Sequence, residues 1–385
     1  MVFGKELLQK PELELPIFYS DNSCADEICN RITEYHNLLK KYGVEETKLE
    51  CILQYRNHLK LMFEEYDLGH LSNAYKEFDM ALPFLFRDAP VIKSMISADS
   101  LFRARVNKSD VDYKDDEMFH IKYSNRGKVG TQRFSFPGLP CLYLGASAYV
   151  CWLELNRTAF DQFQVALIKQ NAVANKRKCI LDLSIHPRTF YNELEKREKG
   201  EKTEHEVLNL DDYLQYWPII AACSIAVKNE KDTFKPEYIF PQFLLQSIIE
   251  GKTEELKGID GIKYISIKAG QISMKHYELD YSTYTNFVFP IRSKIPTDDG
   301  FCAELSNYFY IANNYSGKEL QVLSDLVRKS GVEFEVFDAD ESRQATTTLI
   351  YGSNDKGYFY KDSIFGRIEN ILQGINYVDG KMELI

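Results

Sequence analysis

Hydrophobic and polar positions divide the chain into three stretches of different rhythm. Between residues 25 and 82, Leu, Ile and aromatic side chains recur among charged ones at helical spacing. This predicts helices over Ala25 to Tyr42, Glu46 to Tyr66 and Leu71 to Leu82. Ser23 ahead of an acidic first turn is an N-cap signal, and Gly43 and Gly69 punctuate the run. From Leu101 the rhythm changes. Cys141 to Leu144, Phe163 to Ile168, Cys179 to Leu183, Gly261 to Ile267 and Asn286 to Phe289 read as short strands. Tyr213 to Val227 and Tyr238 to Glu250 read as buried helices, the second closed by Gly251, and the charged stretch Tyr191 to Glu206 reads as a solvated helix or an insertion. After Pro296 the pattern loosens, with a helix expected over Ser316 to Lys329 and strands over Phe334 to Phe337, Thr346 to Tyr351 and Gly357 to Tyr360. Strands and helices do not alternate regularly, so the expected class is α+β rather than doubly wound α/β. The expected division is a helical N-terminal domain over 1–95, a mixed domain over 96–295 and a C-terminal α/β extension over 296–385.

Composition narrows the choice of partners. With 47 Lys plus Arg against 57 Asp plus Glu, the 385-residue chain carries a net charge of -10. A strong duplex-binding face needs a basic excess, so nucleic acid is not the expected partner. The uncharged window from Phe134 to Leu153 holds Pro137, Gly138 and Pro140, which suits a turn followed by a strand and not a membrane span. Lys5, Glu6 and Lys10 sit where a signal peptide needs apolar residues. The eight cysteines contain no CxxC pair, which favours reduced thiols in the cytoplasm. Cys24 and Cys29 lack a second pair at zinc spacing and the seven histidines are scattered, so no metal is expected. Neither a dinucleotide glycine motif nor a P-loop occurs.

The informative stretch runs from Thr131 to Glu154. It reads as an Arg-bearing segment, a Pro-Gly turn, a strand, and a helix beginning near Ser147 with Glu154 about two turns inside. A carboxylate flanked by Leu153 and Leu155 needs a partner or a purpose. One reading pairs it structurally with Arg133 or Arg103; the other makes it catalytic.

Several elements taken in order resemble the RES-domain family, named for its Arg, Glu and Ser. They are Phe102-Arg103, Arg133-Phe134, Pro137 to Pro140, Leu142-Tyr143-Leu144, Glu154, the aromatic-Pro-Gln segment within Tyr238 to Gln242, Gly261 to Ser266, and Asn286 to Phe289. The resemblance covers roughly residues 100 to 292. It departs at Gln132-Arg133-Phe134-Ser135, where the family usually has Gly-Arg-Trp-Asn.

The resemblance implies a fold similar to ADP-ribosyltransferases and an enzyme that breaks the nicotinamide-ribose bond of NAD. That activity would be an NAD glycohydrolase or phosphorylase, a toxin that depletes cellular NAD and is restrained by an antitoxin. It also implies roles. Glu154 would stabilise charge on the ribose, Arg103 and Arg133 would contact the pyrophosphate, and Tyr143 and Ser266 would position the nicotinamide side. Asn286 would join the NAD-binding set. Considered singly, Tyr143 is as readily a core strand residue and Ser266 a strand's outward face. Two alternatives stay open: transfer of ADP-ribose to a protein target, and a partner- or RNA-binding helical module on a degenerate RES scaffold.

Overall fold

The computed structural model describes residues 4–20, 22–86, 92–96, 100–109, 111–171, 178–268, 281–292, 300–320, 322, 364–373, 375–378 and 381–384. Helices and a mixed set of strands make it α+β, as the sequence predicts. The chain forms two compact units, each assembled from separated pieces of sequence.

The first unit comprises residues 1–96, 129–139 and 178–270. It contains α1 (Cys24–Lys41), α2 (Glu46–Asp67), α3 (Leu71–Phe86), α5 (Pro187–Glu198), α6 (Leu210–Cys223) and α7 (Ile239–Glu250). Its strands are β1 (Lys93–Met95), β5 (Cys179–Leu183) and β6 (Gly261–Ile265), with β5 antiparallel to β1 and parallel to β6. Ser23 caps α1 by accepting from the Asp26 amide at 3.1 Å. Gly251 ends α7 at φ 60°, a left-handed turn that glycine adopts without strain.

Helix α6 organises this unit because it is buried on every side from Tyr213 to Cys223. Its aromatic residues carry polar tips that must still find partners. Tyr213 Oη donates to the Ile185 carbonyl at 2.9 Å, Tyr216 Oη to the Asp182 carbonyl at 3.1 Å, and Trp217 Nε1 to the Leu13 carbonyl at 3.2 Å. Tyr35 of α1 returns a bond to the Leu214 carbonyl, its ring 4.3 Å from that of Trp217. Phe78 of α3 packs edge-on against Phe240 of α7 at 5.2 Å. The N-terminal helices therefore share one core with α6 and α7.

The second unit comprises residues 97–128, 140–177 and 271–385. Five antiparallel strands lie in the order β7-β3-β2-β4-β8: β2 (Leu101–Val106), β3 (Cys141–Gly145), β4 (Phe163–Gln170), β7 (Thr285–Pro290) and β8 (Phe309–Tyr315). All six residues of β7 are buried. Among the described residues, helices α4 (Ala148–Glu154), α8 (Ala303–Tyr308) and α9 (Ile364–Leu372) accompany them, and a hairpin of β9 (Ile375–Val378) and β10 (Lys381–Leu384) follows. The expected helix over Ser316 to Lys329 is described only at 316–320 and 322, and is helical at 317–320 and 322. The strands expected over Phe334 to Phe337, Thr346 to Tyr351 and Gly357 to Tyr360 lie outside the described residues.

Among the described residues no disulfide forms, and no helix is long and apolar enough to cross a membrane. Replacing Trp217 by Ala should cost about 3–5 kcal/mol, through lost burial and the cavity left behind. Chemical denaturation checks this; a loss under about 1 kcal/mol would show that α6 is not the centre of the core.

Candidate functional site

Glu154 is the last residue of α4, a helix capped by Ser147, whose Oγ accepts from the Val150 amide at 2.9 Å. A negative charge at a helix C-terminus is unfavourable against the aligned peptide dipoles, so this carboxylate needs a donor. Asn286 supplies it, with Nδ2 2.8 Å from Glu154 Oε1. Asn286 sits on β7 directly opposite Gly145 of β3, the residue that leads into α4. The register of the β3–β7 pair thus places the amide under the end of the helix. The helix stops at once, because Asn156 and Arg157 adopt φ values of 57° and 54°, uncommon for residues other than glycine. Glu154 remains half-buried, neither sunk in the core nor fully solvated.

Gly145 lets α4 approach β3. A Cβ built there would lie 2.6 Å from both Cys151 Sγ and a Val150 methyl. The opposite end of α4 is held by Glu369 of α9, whose Oε1 accepts from the Ala148 amide at 2.6 Å.

Arg103 on β2 neighbours this arrangement through β3. Its Nη1 donates to the Tyr143 carbonyl at 2.8 Å, while its Nε is buried with no hydrogen-bond partner among the described residues. Burial, with the charge of Arg105 adding to it, pulls the Arg103 guanidinium down to about 9. The side chain of Tyr143 is half-buried. Of the residues singled out in the sequence, Glu154 and Asn286 therefore meet through their side chains, and Arg103 meets Tyr143 through its backbone.

Arg133 and Ser266 belong to the first unit. Arg133 and Phe134 form the tip of a tight turn closed by reciprocal backbone bonds between Gln132 and Ser135, at 3.0 and 3.2 Å. Gln242 of α7 clamps that turn, its Nε2 lying 3.0 Å from Thr131 Oγ1, 2.9 Å from the Gln132 carbonyl and 3.2 Å from the Ser135 carbonyl. Phe134 packs on Tyr264 at 4.7 Å, and the Arg133 guanidinium lies 5.0 Å from the centre of the Tyr238 ring. These contacts explain why an aromatic-Pro-Gln segment accompanies an Arg-aromatic turn: the glutamine fixes the turn, and Tyr238 provides a face for the arginine. Ser266 follows β6, fully buried, with an Oγ that has no hydrogen-bond partner among the described residues.

One cluster escaped the sequence reading. The stretch Tyr191 to Glu206, expected to be a solvated helix or an insertion, is helical to Glu198 and mostly exposed, but two of its titratable residues are buried. Glu193 and His205 are buried and bond at 2.8 Å, and Arg197 joins Glu193 at 3.3 Å. His205 also lies 3.5 Å from the fully buried Asp182 of β5. Lys263, directly across from Asp182 on β6, sits 3.0 Å from it and 2.7 Å from Glu204. The spacing of Pro187, Phe190, Glu193 and Arg197 along one helical face was the available signal. Asp182, Glu204 and His205 have ligand atoms close enough to hold a metal, but the Lys263 ammonium already serves two of the three as their cation.

Burial alone would lower the His205 pKa, but bonds to Asp182 and Glu193 outweigh it and raise it to about 9. Burial also opposes the Asp182 charge, and Lys263, His205 and Ser184 overcome it, holding that carboxyl well below the usual range. A histidine whose folded pKa lies above its unfolded value stabilises fully below about 6.5, and the contribution is lost as pH rises through about 9. Melting temperature should therefore fall between pH 7 and pH 10 more steeply in the natural chain than in His205→Gln; equal slopes would exclude His205 as the source. Gly145→Ala should destabilise by about 1–3 kcal/mol through the overpacked α4 contact, as read by denaturant unfolding.

A curated protein of Bacillus subtilis (strain 168) named "Putative toxin YopC" is 32% identical over 318 residues, which cover 80% of this chain and 69% of that protein. No family model matches the chain, and no solved structure does. The stretch shared with that protein is long enough, and similar enough, to fix kinship: this chain belongs to the family of "Putative toxin YopC".

Proposed function

We propose that this chain is a toxin-like enzyme that breaks the nicotinamide-ribose bond of NAD, with Glu154 as its catalytic carboxylate. The observation that carries this reading is the Glu154–Asn286 pair, a half-buried carboxylate fixed at 2.8 Å at the end of a capped helix. Kinship with a protein whose name carries the word toxin supports the biological role. An antitoxin that covers the site fits such a role.

The residues suit the substrate. The buried Nε of Arg103, which has no hydrogen-bond partner among the described residues, is a donor that an anionic oxygen could take up.

Cleavage would proceed as follows. The C–N bond between ribose C1′ and the pyridinium nitrogen breaks, and its electron pair leaves with neutral nicotinamide. Positive charge then spreads over C1′ and the ring oxygen, as in other glycosidic cleavages. A carboxylate held in place by Asn286 stabilises that charge without reorganising during the reaction. Water or phosphate delivers an oxygen to C1′; in the case of water a proton is lost to solvent.

Purified chain incubated with NAD, with and without phosphate, should release nicotinamide; release that requires phosphate would identify phosphorolysis. Glu154→Gln keeps an oxygen for Asn286 and should remain folded, yet lose roughly 100-fold or more in kcat with KM nearly unchanged. Full activity in that variant would reject the role of Glu154, and absence of nicotinamide release by the natural chain would reject the reaction.

A further inference from the structure

Helix α9 lies outside the stretch that resembles the RES family, yet it is built onto the helix that carries Glu154. Phe365, Ile368 and Leu372 recur at the spacing of one helical face, and all three are buried. The Phe365 ring lies 5.1 Å from that of Tyr149 and 5.3 Å from that of Trp152, both on α4. It also lies 5.6 Å from the ring of Phe160, which follows α4. Rings at such separations make a directional contact as well as an apolar one. At the other end of α9, Asn313 Nδ2 of β8 donates to the Leu372 carbonyl at 2.5 Å. The helix is therefore fastened to both α4 and β8.

Two contacts carry this fastening to the ends of α4. At its start, Glu369, one turn beyond Phe365, accepts from the Ala148 amide through Oε1 at 2.6 Å. Ala148 is fully buried and is the first residue of α4, so its amide has no acceptor within the helix. A carboxylate is the favoured partner there, because it faces the positive end of the peptide dipoles. At the far end, Trp152, packed against Phe365, donates from Nε1 to the Thr158 carbonyl at 2.7 Å. That bond spans Asn156 and Arg157, the two residues of positive φ that follow the helix. Glu154 lies between these anchors, so the seating of α4 sets where its carboxylate meets Asn286.

We propose that Glu369 is a positioning residue for Glu154, seating α4 so that the carboxylate stands where positive charge develops on the ribose. The inference rests on the catalytic reading of Glu154, and it extends the working unit beyond the RES-like stretch. What seats the helix is an acceptor oxygen at the right reach. A displacement of about 1 Å at a reacting group costs roughly 100-fold in rate, so a small slip of α4 is enough to be read.

Variants of the full chain separate reach from charge, with kcat and KM for nicotinamide release measured well below each melting temperature. Glu369→Gln keeps an acceptor oxygen at the same reach and should retain kcat within about threefold. Glu369→Asp keeps the charge but draws it back by one methylene, and Glu369→Ala removes it. Both should lose roughly tenfold or more in kcat, with KM changed by less than about twofold. Should Glu369→Ala fail to fold, the ratio of kcat between Glu369→Gln and Glu369→Asp decides. Full kcat in Glu369→Asp, equal losses in Glu369→Gln and Glu369→Asp, or a change confined to KM would each overturn the assignment. If Glu154→Gln is inactive while these variants are unimpaired, the positioning role alone falls; if the natural chain releases no nicotinamide, both roles fall.

Discussion

The first unit depends on the enclosure of α6. A helix apolar on all sides must be surrounded, and its tyrosines and tryptophan bring hydrogen-bonding tips that must be met inside. Each tip reaches a different piece of chain: Tyr216 to β5, Tyr213 to the loop after it, and Trp217 to the segment around Leu13. Tyr35 closes the circle from α1. The elements around α6 are thus placed by hydrophobic burial and held in register by directional bonds. This is why α1 to α3, which look self-contained in the sequence, belong to a core completed by residues more than a hundred positions later.

Much of the architecture was legible in local pattern. The strands at Cys141, Phe163, Cys179, Gly261 and Asn286 and the helices of α1 to α3 stand where periodicity and caps placed them. The N-cap at Ser147 and the position of Glu154 on its helix were also readable, because capping and spacing are local properties. Asn286 was singled out in the sequence, but its hydrogen bond to Glu154 depends on strand register. That bond joins residues 132 positions apart, and no local pattern encodes it. The burial of Glu193 and His205 within an otherwise solvated stretch was not legible for a related reason: charged composition signals solvent unless the partners are known, and Asp182 and Lys263 lie on distant strands.

Two features acquire physical meaning in the folded chain. The Arg133 turn is a rigid device, since one amide nitrogen of Gln242 faces three acceptors drawn from both sides of the turn. Phe134 at its tip is anchored by packing on Tyr264. The buried cluster around Asp182 works differently. Its charges are matched by Lys263, His205 and Ser184, so a fully buried carboxylate is tolerated because its surroundings are complete.

Gly145 has a wider consequence. Helix α4 is only seven residues long, so at about 1.5 Å per residue it is a lever of roughly 10 Å. The missing Cβ sets how deeply the middle of that lever rests on β3, at Val150 and Cys151, and Glu154 rides one turn beyond the fulcrum. Any lift at that contact is passed outward to the carboxylate, away from Asn286. The reach of an acidic side chain is thereby governed by an atom that the sequence leaves out.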